Sequence, residues 1–61
     1  MAYDDDIRRL LGMMEGRLTL GQIVRLSKLP RHKVITLLAH LIRFGTVRWE
    51  FVDQEFLFSL V

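Results

Sequence analysis

No cysteine occurs in this 61-residue chain, so neither a disulfide nor a thiolate-bound metal can staple it. A chain this short buries only about 60% of its unfolded surface, and its core is marginal. The fold must therefore come from a few amphipathic elements packed tightly together. Hydrophobic residues make up 51% of the chain, enough for that core and with some surplus. Self-association is a common way of covering such a surplus at this size, so a homodimer is one expectation. The lack of cysteine also suits a reducing, cytoplasmic setting. The sequence has no apolar run of the 18 or more residues that spanning a membrane requires, and three early acids are unlike a signal peptide.

The apolar residues recur with helical spacing in three segments. Ile7, Leu10, Leu11 and Met14 follow one another at i, i+3, i+4 and i+7. Asp4, Asp5 and Asp6 stand ahead of them as candidate caps, and Gly16 is a candidate stop. A first helix is predicted over about 5–15. Thr19 is a good N-cap for a second, over about 19–28, with Leu20, Ile23 and Val24 on its inner side. Leu29-Pro30 then breaks the helix, because a residue preceding proline avoids the helical region. The third helix, about 31–44, carries Val34, Leu37, Leu38 and Leu41 as a central stripe and ends at Gly45.

The rest alternates with period two. A two-residue turn at Asp53-Gln54 pairs Phe51 with Phe56, Trp49 with Phe58 and Val47 with Leu60, all on one face. Strands are predicted over about 46–52 and 55–60. The aromatic face of Trp49, Phe51, Phe56 and Phe58 is expected to lie over the helices as their lid, with Trp49 in the core; an exposed platform for stacking bases is the alternative.

This order of elements matches winged helix-turn-helix proteins, and the span from Leu18 to Val47, LTLGQIVRLSKLPRHKVITLLAHLIRFGTV, resembles their pattern directly. The resemblance implies a mainly α, single-domain fold over residues 1–61, with three helices and a small β-hairpin wing. It implies that Ile23 and Val24 pack on the third helix, that Leu29 is the apolar residue of the turn, and that Val34 and Leu37 are buried in the recognition helix. Leu41, Gly45 and Val47 match the leucine, glycine and first wing residue that end it. Ser27 and Lys28 depart from the pattern, standing where many relatives have an apolar residue and a glycine.

The net charge of +2 says little alone, but its distribution says more. From Arg25 to Arg48 the chain holds Arg25, Lys28, Arg31, Lys33, Arg43 and Arg48 with no acid among them; Glu50, Asp53 and Glu55 follow. On the third helix His32, Thr36, His40 and Arg43 share an arc, with Lys33 close by and Arg31 at the entrance. Such residues suit DNA: Arg31, His32 and Thr36 for base edges, Lys33, His40 and Arg43 for phosphates. Arg25, Lys28 and Arg48 are further phosphate candidates. Double-stranded DNA is thus one expected partner, in transcription regulation, with the third helix as reader.

A partner protein is the other, because Ile35, Ala39 and Ile42 form an apolar flank on the same helix and the wing tip is acidic. Exposure of both isoleucines would favour the protein partner; their burial under the first helix or the wing would favour DNA. No metal is expected, since His32 and His40 stand about 12 Å apart along a helix. No cofactor or catalysis is expected, since the chain has no nucleophile–base grouping and no glycine-rich phosphate loop.

Overall fold

The computed structural model describes residues 2–61. Its elements run α1 (Ala2–Met13), β1 (Leu18–Thr19), α2 (Leu20–Ser27), α3 (Arg31–Arg43), β2 (Val47–Val52) and β3 (Glu55–Leu60). The fold is mainly α with a β-hairpin wing. The strands form one antiparallel sheet in the order β1-β3-β2.

Helix α1 begins and ends earlier than its apolar spacing suggests. Asp5 and Asp6 lie inside it rather than ahead of it, while the side chain of Asp4 lies outside the described residues. Carboxylates in the first turns still suit the helix dipole, so Asp5 and Asp6 mark the start from inside the helix. Met14, just past the helix end, is buried beside Leu10.

Helix α2 starts on a reciprocal cap. The Thr19 hydroxyl accepts from the Gln22 N–H at 3.2 Å, and the Gln22 side-chain oxygen accepts from the Thr19 N–H at 2.9 Å. Leu18 and the capping residue Thr19 also pair with Phe58 and Leu57 as a third strand. At the other end of α2, Ser27 is buried. Its hydroxyl donates to the Val24 carbonyl and accepts from the Leu29 N–H, both at 3.3 Å, so this buried polar residue has no unmet hydrogen bond.

Lys28 takes the left-handed conformation that glycine adopts most readily, at φ 60°. A side chain there costs about 1 kcal/mol or more. Lys28→Gly is therefore expected to stabilise the fold by up to about 1 kcal/mol, seen as a melting temperature about 4–8 °C higher. An unchanged or lower melting temperature would show that the lysine stem makes compensating contacts.

Helix α3 opens on Pro30, whose carbonyl accepts from the Lys33 and Val34 N–H groups at 3.1 Å. It closes in a Schellman turn: Thr46 N–H donates to the Leu41 carbonyl at 2.9 Å and Gly45 N–H to the Ile42 carbonyl at 3.0 Å, with Gly45 at φ 82°. The core lies between the three helices and the base of the wing. Leu10, Met14, Ile23, Val34, Leu37, Leu38, Leu41 and Val47 are buried, and Ile7, Leu11, Val24 and Leu29 pack partly against them.

The hairpin has the register that alternation predicts: Phe51 faces Phe56, Trp49 faces Phe58 and Val47 faces Leu60. Asp53 and Gln54 turn it, both with positive φ (50° and 69°), as a two-residue turn matched to strand twist requires. Val61 N–H donates to the Thr46 carbonyl at 3.0 Å. Because bonded and non-bonded pairs alternate along an antiparallel ladder, Arg48, Glu50 and Val52 turn their backbone groups towards β3. Val47, Trp49 and Phe51 turn theirs to the outer edge of the sheet. By the same alternation Phe58 turns its backbone towards β1.

The expected lid is largely absent. Trp49 is 52% exposed, Phe51 56% and Phe56 51%; Phe58 is the half-buried member of the face. The wing extends beyond the helices, so only its base, at Val47 and Phe58, reaches the core. The three outer rings pack on one another instead, Phe51 and Phe56 at 4.8 Å between centroids and Trp49 and Phe56 edge-on at 5.6 Å.

Candidate nucleic-acid interface

Helix α3 presents four sides, one of them the apolar flank of Ile35 and Ile42. The inner stripe is buried in the core. The outermost arc carries His32, Thr36, Ala39 and Arg43, all exposed, with Arg31 exposed at the helix entrance. The Thr36 hydroxyl donates to the His32 carbonyl at 2.9 Å, which leaves its oxygen lone pairs and its methyl for any outside contact. Lys33 and His40 lie on the third side and are half-buried. The Lys33 ammonium meets Asp6 Oδ2 of α1 at 2.5 Å, so this lysine joins two helices rather than standing on the outer arc.

Arg25 and Lys28 are exposed at the end of α2, and Arg48 is exposed on the wing. The candidate set therefore divides. Arg31, His32, Thr36 and Arg43 share the open part of α3. Arg25 and Lys28 lie on the turn before it, Arg48 is separate on β2, and Lys33 and His40 are turned away. Asp53, Gln54 and Glu55 form the exposed wing tip, so the only charges there are negative.

Two grooves run between α3 and the wing, and neither is evident from spacing alone. One, of about 330 Å³, is lined by Thr19, Gly21, Arg31, Glu55, Phe56 and Phe58, among others. The second, of about 320 Å³, is lined by Leu20, Ile35, Leu38, Ala39, Ile42 and Phe58. The apolar flank of α3 is thus one wall of a groove whose opposite side is the wing base. Ile35 is 47% exposed and Ile42 is half-buried, an intermediate outcome between open patch and covered core. Among the described residues, no group of three or more His, Asp or Glu side chains could hold a metal ion, and no helix is long and apolar enough to cross a membrane.

A search of the curated proteins finds no match to this chain. Among solved structures, the Zα domain of PKZ from Carassius auratus, in complex with Z-DNA, superposes with a TM-score of 0.87 over 100% of both chains, at 17% sequence identity. At that identity the likeness speaks to the fold, and it is a likeness to a winged helix along the whole chain. A sequence profile of the helix-turn-helix domain of RNA polymerase III subunit RPC82 matches residues 10–50, a span running from the inner face of α1 through α2 and α3 into β2. With about two thirds of its length inside that match, the chain belongs to the RNA polymerase III subunit RPC82 helix-turn-helix domain family.

Proposed function

We propose that this chain is a double-stranded DNA-binding module acting in transcription, with α3 as the helix that enters the major groove, and not a catalyst. The observation that carries this reading is the open arc of Arg31, His32, Thr36 and Arg43 on one helix, inside a stretch from Arg25 to Arg48 free of acidic residues. Arg31 has the fork geometry that reads guanine, and the Thr36 methyl can touch a thymine methyl. Arg25, Lys28 and Arg43 supply phosphate contacts around them. The structural neighbour from Carassius auratus was solved in complex with Z-DNA, which supports nucleic-acid binding by a fold of this kind. The acidic wing tip directs phosphate contact to the helices.

Titrating a labelled duplex at two salt concentrations tests this. Affinity is expected to fall as salt rises, because each phosphate contact releases counterions. Arg43→Ala should weaken all sequences alike and flatten the logarithmic salt slope by about one. Arg31→Ala should cost about 1–3 kcal/mol and relax preference at one base pair. Folded protein without any salt-sensitive DNA binding would sink the reading.

A second reading rests on the apolar groove formed by Leu20, Ile35, Leu38, Ala39, Ile42 and Phe58. It makes the chain an assembly module that receives an apolar side of a partner protein. It predicts that Ile35→Glu abolishes partner assembly while leaving DNA affinity within about threefold, since Ile35 faces the groove rather than the outer arc.

A further inference from the structure

We infer that the chain forms a two-fold dimer by pairing the outer edges of β2, with Trp49 of each copy on the axis. Strand β2 lies at the end of the sheet and bonds only β3. Its outer edge offers the N–H and C=O groups of Val47, Trp49 and Phe51, an open template for another strand. Six residues long, it has no proline or lysine and keeps an unbroken register with β3, and its two charges, Arg48 and Glu50, are of opposite sign on one face. The opposite edge of the sheet is β1, two residues long, which gives little purchase. One long free edge per copy gives a closed pair rather than a fibre.

The sequence VRWEFV fixes which pairing is favourable. Centred on Trp49, antiparallel pairing sets Trp49 opposite Trp49, Val47 opposite Phe51 and Arg48 opposite Glu50 of the second copy. All three outward-turned residues then meet outward-turned residues, so every free edge group from Val47 to Phe51 gains a partner. Opposite charges meet twice, once on each side of the axis. Centring on Arg48 or on Glu50 instead brings like charges face to face and leaves edge groups unpaired. Any odd shift puts the aromatic face against the charged face.

Charge complementarity therefore selects one register, and that register also covers the exposed rings of Trp49 and Phe51. Among the described residues, no carboxylate of the same chain pairs with Arg48. The contact of Glu50 with Arg17, at 3.4 Å, is half in solvent and uses one of its two oxygens.

The test is the mass of the intact chain by sedimentation equilibrium from about 5 μM to about 1 mM, in moderate salt, with helical circular dichroism confirming that each variant is folded. The parent is expected to approach twice its 7.2 kDa chain mass. Arg48→Glu alone and Glu50→Arg alone should each raise the dissociation constant about tenfold or more, because each sets like charges together on both sides of the axis. The double variant, Arg48→Glu with Glu50→Arg, should return to within about threefold of the parent, since it restores opposite charges in this register only. In the dimer the Trp49 and Phe51 amides should also exchange more slowly as concentration rises. A monomer throughout the range overturns the proposal. So does self-association that the single reversals leave unchanged, or that the double variant fails to recover.

Discussion

Leu37→Ala is expected to lower the unfolding free energy by about 2–5 kcal/mol, the range for a buried leucine whose cavity closes only in part. Leu37 is fully buried in the middle of the α3 stripe, flanked by Val34, Leu38 and Leu41. A domain of this size holds roughly 3–9 kcal/mol in total, so one truncation removes a large share of it. In urea the midpoint should fall sharply, and much of the variant should be unfolded at body temperature. Leu37→Met, which keeps the volume, should cost less than about 1.5 kcal/mol. If the alanine variant melts with the parent, the helices do not converge on this side chain.

The second large effect is expected at Lys33. Asp6 is only 13% exposed at its side chain, and the Lys33 ammonium is its counter-charge. Removing that ammonium leaves a largely buried carboxylate unmatched, at a cost of about 1–3 kcal/mol in Lys33→Met. Asp6→Asn in the same background should recover most of it, because a neutral amide needs no counter-charge. The four proteins form a double-mutant cycle, measured by urea unfolding, whose coupling should be about 1 kcal/mol or more. Arg17 and Glu50 form the contrast. Arg17 is 62% exposed, so Arg17→Ala should stay within about 0.5 kcal/mol of the parent. Additive behaviour at Asp6 and Lys33 would show that the pair is incidental to the packing of α1 on α3.

These two residues mark how far the sequence could be read. Leu37 announces itself by spacing: a stripe at three- and four-residue intervals, closed by Gly45, specifies both a helix and its buried side. Lys33 does not, because its role depends on a carboxylate from a different helix, and only the packing of α1 against α3 shows that the two meet. The wing repeats the lesson. Alternation fixes the face and register of Trp49, Phe51, Phe56 and Phe58 correctly, since one slip would mix the faces. It carries no information about depth, and Trp49 lies half outside, where the hairpin has run past the helices.

Strand β1 leaves no mark in the sequence, because two residues are too few to alternate. On α3 the residue types that suit DNA are visible in the sequence. Their division into an open arc, a side facing the wing and a side facing α1 required the fold.

Thr19 carries a consequence for how the molecule opens. It is the last residue of β1, opposite Leu57, and also the cap on the first turn of α2. The bonded pair of the third strand is Leu18 with Phe58, one residue before the cap, so fraying of that turn loosens the strand's anchor and peeling the strand loosens the cap. Helix and sheet therefore cannot come apart in separate stages at this joint; they share one cooperative unit. Native-state hydrogen exchange should show it: the amides of Gln22 and Phe58 should open with the same free energy and the same denaturant dependence. Two distinct openings would mean that the joint hinges, and that the wing can swing while the helices stay closed.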